Sequence, residues 1–147
     1  MSFEPQFPGF LTGDIDISVL DPSGLVPETN IIQIPDAWAV RVRWHIEGGI
    51  VSLIAGNATW HVRVFLESIG PGLEQEVGAV NVTVGSVPLG PGGQRNYDET
   101  INIPGNLPGL QPGLYKMVVV ATIENAGMPG MIAAFAEGPY LHFYQFP

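Results

Sequence analysis

An all-β fold, with the chain forming a single two-sheet antiparallel β-sandwich of about seven to nine strands, is what this 147-residue sequence predicts. Three observations carry that expectation. Nineteen glycines and fourteen prolines cluster in pairs such as Pro22-Ser-Gly24, Gly70-Pro-Gly72, Pro112-Gly113 and Gly138-Pro139. Such pairs punctuate a chain because proline presets φ and glycine supplies positive φ. Between them, β-branched and aromatic residues recur with a period of two, and no segment keeps a helical period between caps.

Composition narrows the function. The hydrophobic fraction of 46% is ordinary, but only 13% of residues are charged, about half the usual share. Intrinsic disorder requires the opposite balance. Five Lys and Arg against fourteen Asp and Glu leave a net charge of −9. That is a poor tool for neutralising phosphates, so neither nucleic acid nor an anionic membrane surface is an expected partner. There is no cysteine, hence no disulfide, thiolate metal site or thiol nucleophile. No signal peptide is visible in Met-Ser-Phe-Glu-Pro, and no apolar run approaches the roughly 18 residues of a membrane helix. A cytoplasmic protein without membrane insertion is the default expectation.

Residues 1–13 read as an aromatic, proline-rich arm and residues 14–147 as the sandwich. The arm holds Phe3, Phe7 and Phe10, spaced by Pro5 and Pro8. Three aromatics suit an arm that lies on its own sandwich or docks on a neighbouring subunit. Residues 14–19 alternate, with Ile15, Ile17 and Val19 on one face and Asp14 and Asp16 on the other. A solvated face explains the two aspartates, because no convergent metal ligands accompany them. Residues 31–34 offer a short second segment closed by Pro35.

Residues 38–47 are the clearest strand. Trp38, Val40, Val42, Trp44 and Ile46 point one way, with Arg41, Arg43, His45 and Glu47 opposite. Residues 59–67 repeat the design, with Trp60, Val62, Val64 and Leu66 inward and His61, Arg63, Phe65 and Glu67 outward. Residues 77–84 and 97–103 supply two further strands. Gly90-Pro-Gly-Gly-Gln94 lacks the Lys-Ser/Thr ending and following helix of a phosphate loop, and reads as a plain loop. The stretch Leu110-Gln-Pro-Gly-Leu-Tyr115 turns a corner into a long strand, on which Tyr115, Met117, Val119, Ala121 and Ile123 share a face. A loop through residues 128–135 then leads to a last strand over residues 140–146.

The order of these features resembles the immunoglobulin-like sandwiches, and the fibronectin type III branch most closely. Leu110-Gln-Pro-Gly-Leu-Tyr115 is similar to the tyrosine corner that opens strand F of that fold, where the hydroxyl bonds back to the upstream backbone. Trp44 stands where those domains carry a strand-B tryptophan. On this resemblance residues 14–19 are strand A, 38–47 strand B, 59–67 strand C and 140–146 strand G. The resemblance is to a fold and brings no functional residue with it.

No catalytic group, metal site or cofactor is predicted. His45, His61 and His142 show no local ligand spacing, and no serine sits in a Gly-x-Ser-x-Gly elbow. His61 and His142 would meet only if strands C, F and G were neighbours. The informative anomaly is the outward face of those strands. Val118 and Val120 oppose an already apolar face, Phe65 lies outward on strand C, and strand G adds either Tyr140, Tyr144 and Phe146 or Leu141 and Phe143, depending on register. Such a patch needs a cover. The sequence therefore predicts a non-enzymatic interaction or assembly module that meets a protein partner, in the first instance itself as a homo-oligomer. Its surface comprises Phe65, Val118, Val120, Tyr140, His142 and Tyr144, with Phe3, Phe7 and Phe10 as a swapping or covering arm. The arm or the 128–135 loop could instead cover the patch within one chain. The alternative function is a carbohydrate or small-ligand module using Tyr97, Tyr140 and Tyr144 as exposed platforms.

Overall fold

The structure, a computed structural model, describes residues 12–20, 31–48, 51, 54, 56–70, 74–125 and 128–145. Among these the chain forms eight strands: β1 (Thr12–Leu20), β2 (Ile31–Gln33), β3 (Trp38–Glu47), β4 (Thr59–Ser68), β5 (Glu74–Thr83), β6 (Arg95–Ile103), β7 (Gly113–Asn125) and β8 (Met128–Tyr144). They build two sheets, one in the order β1-β3-β6 and the other β2-β8-β7-β4-β5. The arm, with Phe3, Phe7 and Phe10, lies outside the described residues.

Alternation decides which way each strand faces. Trp38, Val40, Val42, Trp44 and Ile46 of β3 are all buried, as are Trp60, Val62, Val64 and Leu66 of β4. On β7 the buried set is Tyr115, Met117, Val119, Ala121 and Ile123. The two sheets close over one core. Trp44 stacks on Tyr97 at 5.0 Å between ring centroids, and Trp60 of the opposite sheet meets both rings edge-on at 5.8 Å. Near the other end Phe143 takes Trp38 and Tyr115 edge-on, at 5.8 and 5.4 Å. Offset and edge-to-face pairs of this kind add about 0.5–1.5 kcal/mol each beyond their buried area.

The corner at the start of β7 is formed as the sequence predicts. The Tyr115 hydroxyl donates to the Gln111 carbonyl at 2.9 Å and accepts from the Gln111 amide at 3.2 Å. Gly113, at φ 150°, takes the turn into the strand.

Three expectations are corrected. First, residues 128–135 are not a loop: β8 runs unbroken from Met128 to Tyr144. Gly138-Pro139 marks a bulge rather than a turn. Opposite it, the β7 partners step from Lys116 to Val118 while those of β8 step from Tyr140 to Glu137. A bulge accommodates a proline that cannot donate to a ladder. The glycine leaves room for neighbours from both sheets, since a Cβ there would fall 2.6 Å from Met117 Cε and 3.0 Å from Ile17 Cδ1 and those side-chain ends would have to shift. Second, one pairing is parallel: Ile31, Ile32 and Gln33 align with His142, Phe143 and Tyr144. A pair so distant in sequence needs no hairpin and is free to run in the same direction. Third, Tyr97 is not an exposed platform. It is 3% exposed within the Trp44–Trp60 cluster, its hydroxyl donates to the Val84 carbonyl at 2.8 Å, and burial pushes its phenol above the usual tyrosine range.

Two substitutions test this architecture. Tyr115→Phe should lower unfolding free energy by about 1 kcal/mol through loss of the corner bonds; an unchanged denaturation midpoint would contradict that role. Gly105 lies against the Pro35 carbonyl, and a Cβ there would stand 2.2 Å from that oxygen. Gly105→Ala must therefore displace backbone, and chemical denaturation should register about 1–3 kcal/mol of destabilisation.

Candidate interaction surface

The strand order puts β4, β7 and β8 side by side, so the outward residues of all three share one face. Cross-strand pairing arranges them in rows. Arg63 lies beside Val120, which lies beside Phe135; Phe65 lies beside Val118, which lies beside Glu137. The next row is Glu67, Lys116 and Tyr140, and beyond it Leu114 pairs with His142, which aligns with Ile31. On the other flank β5 adds Ala79 beside Arg63 and Glu76 beside Phe65.

Phe65, Val118 and Val120 are half-buried by their neighbours, while Tyr140 and His142 are exposed and Tyr144 is half-buried. The structure thus brings Phe65, Val118 and Val120 together at the centre of the face. Tyr140, His142 and Tyr144 form its continuation along β8. The register of β8 is settled as well, because Leu141 and Phe143 are wholly in the core. The exposed apolar side chains of the face extend beyond the predicted set: Phe135 is 43% exposed, Leu114 44% and Ile31 63%, against 57% for Tyr140. Phe135 was hidden by reading residues 128–135 as a loop. Leu114 stood in plain alternation with Lys116, Val118 and Val120, and the alternation alone could have found it.

Two ion pairs lie on this face. Lys116 Nζ is 2.7 Å from Glu137 Oε1, and that hydrogen bond raises the ammonium above its usual value. His61 Nε2 stands 3.0 Å from Glu124 Oε2 at one end. His61 and His142 do not meet. They flank Thr122 and Leu114 of β7, eight residues apart, which is about 27 Å along a strand.

The outer face of the smaller sheet has the opposite character. Its shallow depression is lined by Asp14, Asp16, Arg43, His45, Asn96 and Asp98, among others. Two of the acids there are engaged with arginines. Arg41 reaches Asp98 with two bonds, of 3.0 and 2.6 Å, and Arg43 reaches Asp16 at 3.4 Å. No group of three or more His, Asp or Glu among the described residues could hold a metal ion.

No protein-family model matches the chain, and no curated protein matches it significantly. Among solved structures, the chain is similar to the PmoD soluble domain from Methylocystis sp. ATCC 49242 (Rockwell). The identity is 11%, the alignment covers 94% of this chain and 95% of that one, and the TM-score is 0.32. No helix among the described residues is long and apolar enough to cross a membrane.

The Arg41–Asp98 pair gives the smaller sheet a pH signature. Hydrogen bonding from Arg41, aided by the charges of Arg41 and Arg43, holds Asp98 below the usual aspartate range despite slight desolvation. A carboxyl depressed in the folded state contributes stability above its unfolded value, and loses it as pH falls through the folded one. The pair is exposed, so the contribution is small. Asp98→Asn should therefore melt below the wild type at neutral pH, and the gap should close on acidification toward about pH 2. A gap that persists in acid would assign the effect to packing instead.

Proposed function

We propose that the protein is a non-enzymatic, immunoglobulin-like β-sandwich that acts as an interaction and assembly module through the outer face of its five-stranded sheet. The strand order supports the fold assignment. With β1, β3 and β6 taken as A, B and E, the larger sheet reads G, F, C and C′ in β8, β7, β4 and β5. The tyrosine corner falls at the start of F, where that fold has it.

The functional reading rests on one observation, the run of apolar side chains across β4, β7 and β8. Phe65, Val118, Val120 and Phe135 adjoin one another through two strand interfaces, and Tyr140 and Leu114 extend the run. Each such side chain gains about 1.5–3 kcal/mol on full burial. Contiguous apolar patches beyond a few hundred Å² mark contact sites. The ligand-platform alternative loses support because Tyr97 sits in the core, leaving Tyr140 and Tyr144 of its three aromatics on the face.

Light scattering during gel filtration tests this reading. At tens of micromolar the wild type should elute with a mass above one chain. Val120→Glu, which places a carboxylate at the centre of the face, should elute as a single chain with its far-ultraviolet circular dichroism unchanged. A wild type of single-chain mass would overturn the proposal in its self-associating form.

A further inference from the structure

The sequence contains five basic side chains, and four of them have an acceptor in the fold. Arg41 holds Asp98, Arg43 holds Asp16, Lys116 holds Glu137, and Arg95 donates to the Val87 carbonyl. Arg63 is the exception: among the described residues it makes no ion pair and no hydrogen bond, and its Nε, like that of Arg95, is sealed from solvent without an acceptor. A chain with fourteen acids has left its one unmatched cation at the middle of an apolar face, between Ala79 and Val120 and one outward position from Phe65. The side chain is half-buried and its terminal nitrogens are not sealed, so covering the face would desolvate an unpaired charge unless the cover brought an anion to it.

The same face supplies the anion. Four residues along β4, Glu67 points outward, and with Glu74 and Glu76 of β5 it forms an acidic rim. Phe65 lies midway between Arg63 and Glu67, each about 6.6 Å from it along the strand. We infer that the occupant of the face is a second copy of this chain, related by a two-fold axis that lies in the interface and crosses the strands at Phe65 and Val118. That operation sets Phe65 on Phe65 and Val118 on Val118, and along the same row Glu76 on Glu76 at the rim and Glu137 on Glu137, each Glu137 held by its own Lys116. It also carries Glu67 of the second copy over Arg63, and by symmetry does so twice.

The magnitudes suit this arrangement. Stacked sheets cross at roughly 30°, which displaces a position about 6.6 Å from the axis by only about 3 Å, within reach of two long side chains. Four strands at about 4.8 Å spacing and ten residues at about 3.3 Å give a plane of roughly 600 Å². Side-chain relief raises that toward the approximately 800 Å² per partner of a standard interface. The alternative in-plane axis, parallel to the strands between β4 and β7, sets Arg63 on Val120 and leaves the guanidinium unmatched.

The inference rests on the proposal that this face is the interface, and charge reversal separates the two. Sedimentation velocity of the full chain should show a two-copy species. Arg63→Glu alone and Glu67→Arg alone should each weaken it by about tenfold or more, because like charges then oppose each other at both contacts. Mixing the two single variants should restore association, since opposite charges again face each other in both contacts, and neither variant then needs to pair with itself. Failure of the mixture to associate, with the wild type still two copies and Val120→Glu still dissociated, would overturn this arrangement and leave the interface standing. A wild-type species of more than two copies would also overturn it. A wild type that sediments as one chain would overturn both. Unchanged melting temperatures of the two variants exclude misfolding as the cause of any loss.

Discussion

The two-way bond between the Tyr115 hydroxyl and the Gln111 backbone fixes where β7 begins, and most of the architecture depends on that setting. β7 is the central strand of the larger sheet, paired with β4 on one side and β8 on the other. A slip of one residue would exchange its faces, sending Met117, Val119 and Ala121 outward and Val118 and Val120 into the core. Both of its faces are apolar, so hydrophobicity alone discriminates weakly between the two registers. The corner supplies the missing discrimination with a directional bond. The aromatic contacts of Tyr115 with Phe143 then bind that choice to β8.

From that register the core follows. The sheets meet through the Trp44–Tyr97–Trp60 cluster near one end and the Trp38–Phe143–Tyr115 cluster near the other. Tyr97 shows why a tyrosine serves there better than a phenylalanine. Its ring fills the space between two tryptophans while its hydroxyl satisfies the Val84 carbonyl at the turn after β5. The same turn is held by the Val84 amide, which donates to Ala58 at 2.8 Å. Local backbone and distant core are thereby tied at one point.

Alternation made β3, β4 and β7 legible in the sequence, down to which residues face inward. Six residues made the corner legible. What misled was punctuation. Gly138-Pro139 looks like a turn, but in β8 the glycine makes room for Met117 and Ile17 and the proline occupies a bulge. Local sequence cannot distinguish a glycine packed beneath neighbouring side chains from one required by its own φ. That error concealed Phe135, and with it one flank of the candidate surface. Tyr97 failed for a related reason: exposure depends on which strand lies opposite, and nothing near Tyr97 in sequence names Trp44 and Trp60 as its neighbours. The three-residue β2 was visible as a segment, but its parallel pairing with β8 is a property of the whole topology.

The two outer faces account for how a chain with so little charge presents itself to water. The smaller sheet spends two arginines on aspartates of neighbouring strands, and its outward positions also include Asp14, Ser18, His45, Glu47, Asn96, Thr100 and Asn102, with Leu20 and Ala39 paired at one end. The edge strand β5 carries Glu74 and Glu76 and a bulge opposite Val64 and Phe65, features that discourage edge-to-edge pairing. Acidic groups are thus placed where uncontrolled sheet extension would begin. If low charge were only a compositional accident, apolar residues would scatter over both faces. Among the described strands the exposed large apolar side chains, Ile31, Leu114, Phe135 and Tyr140, all belong to the larger sheet, and that one-sided placement is what the proposed interaction surface rests on.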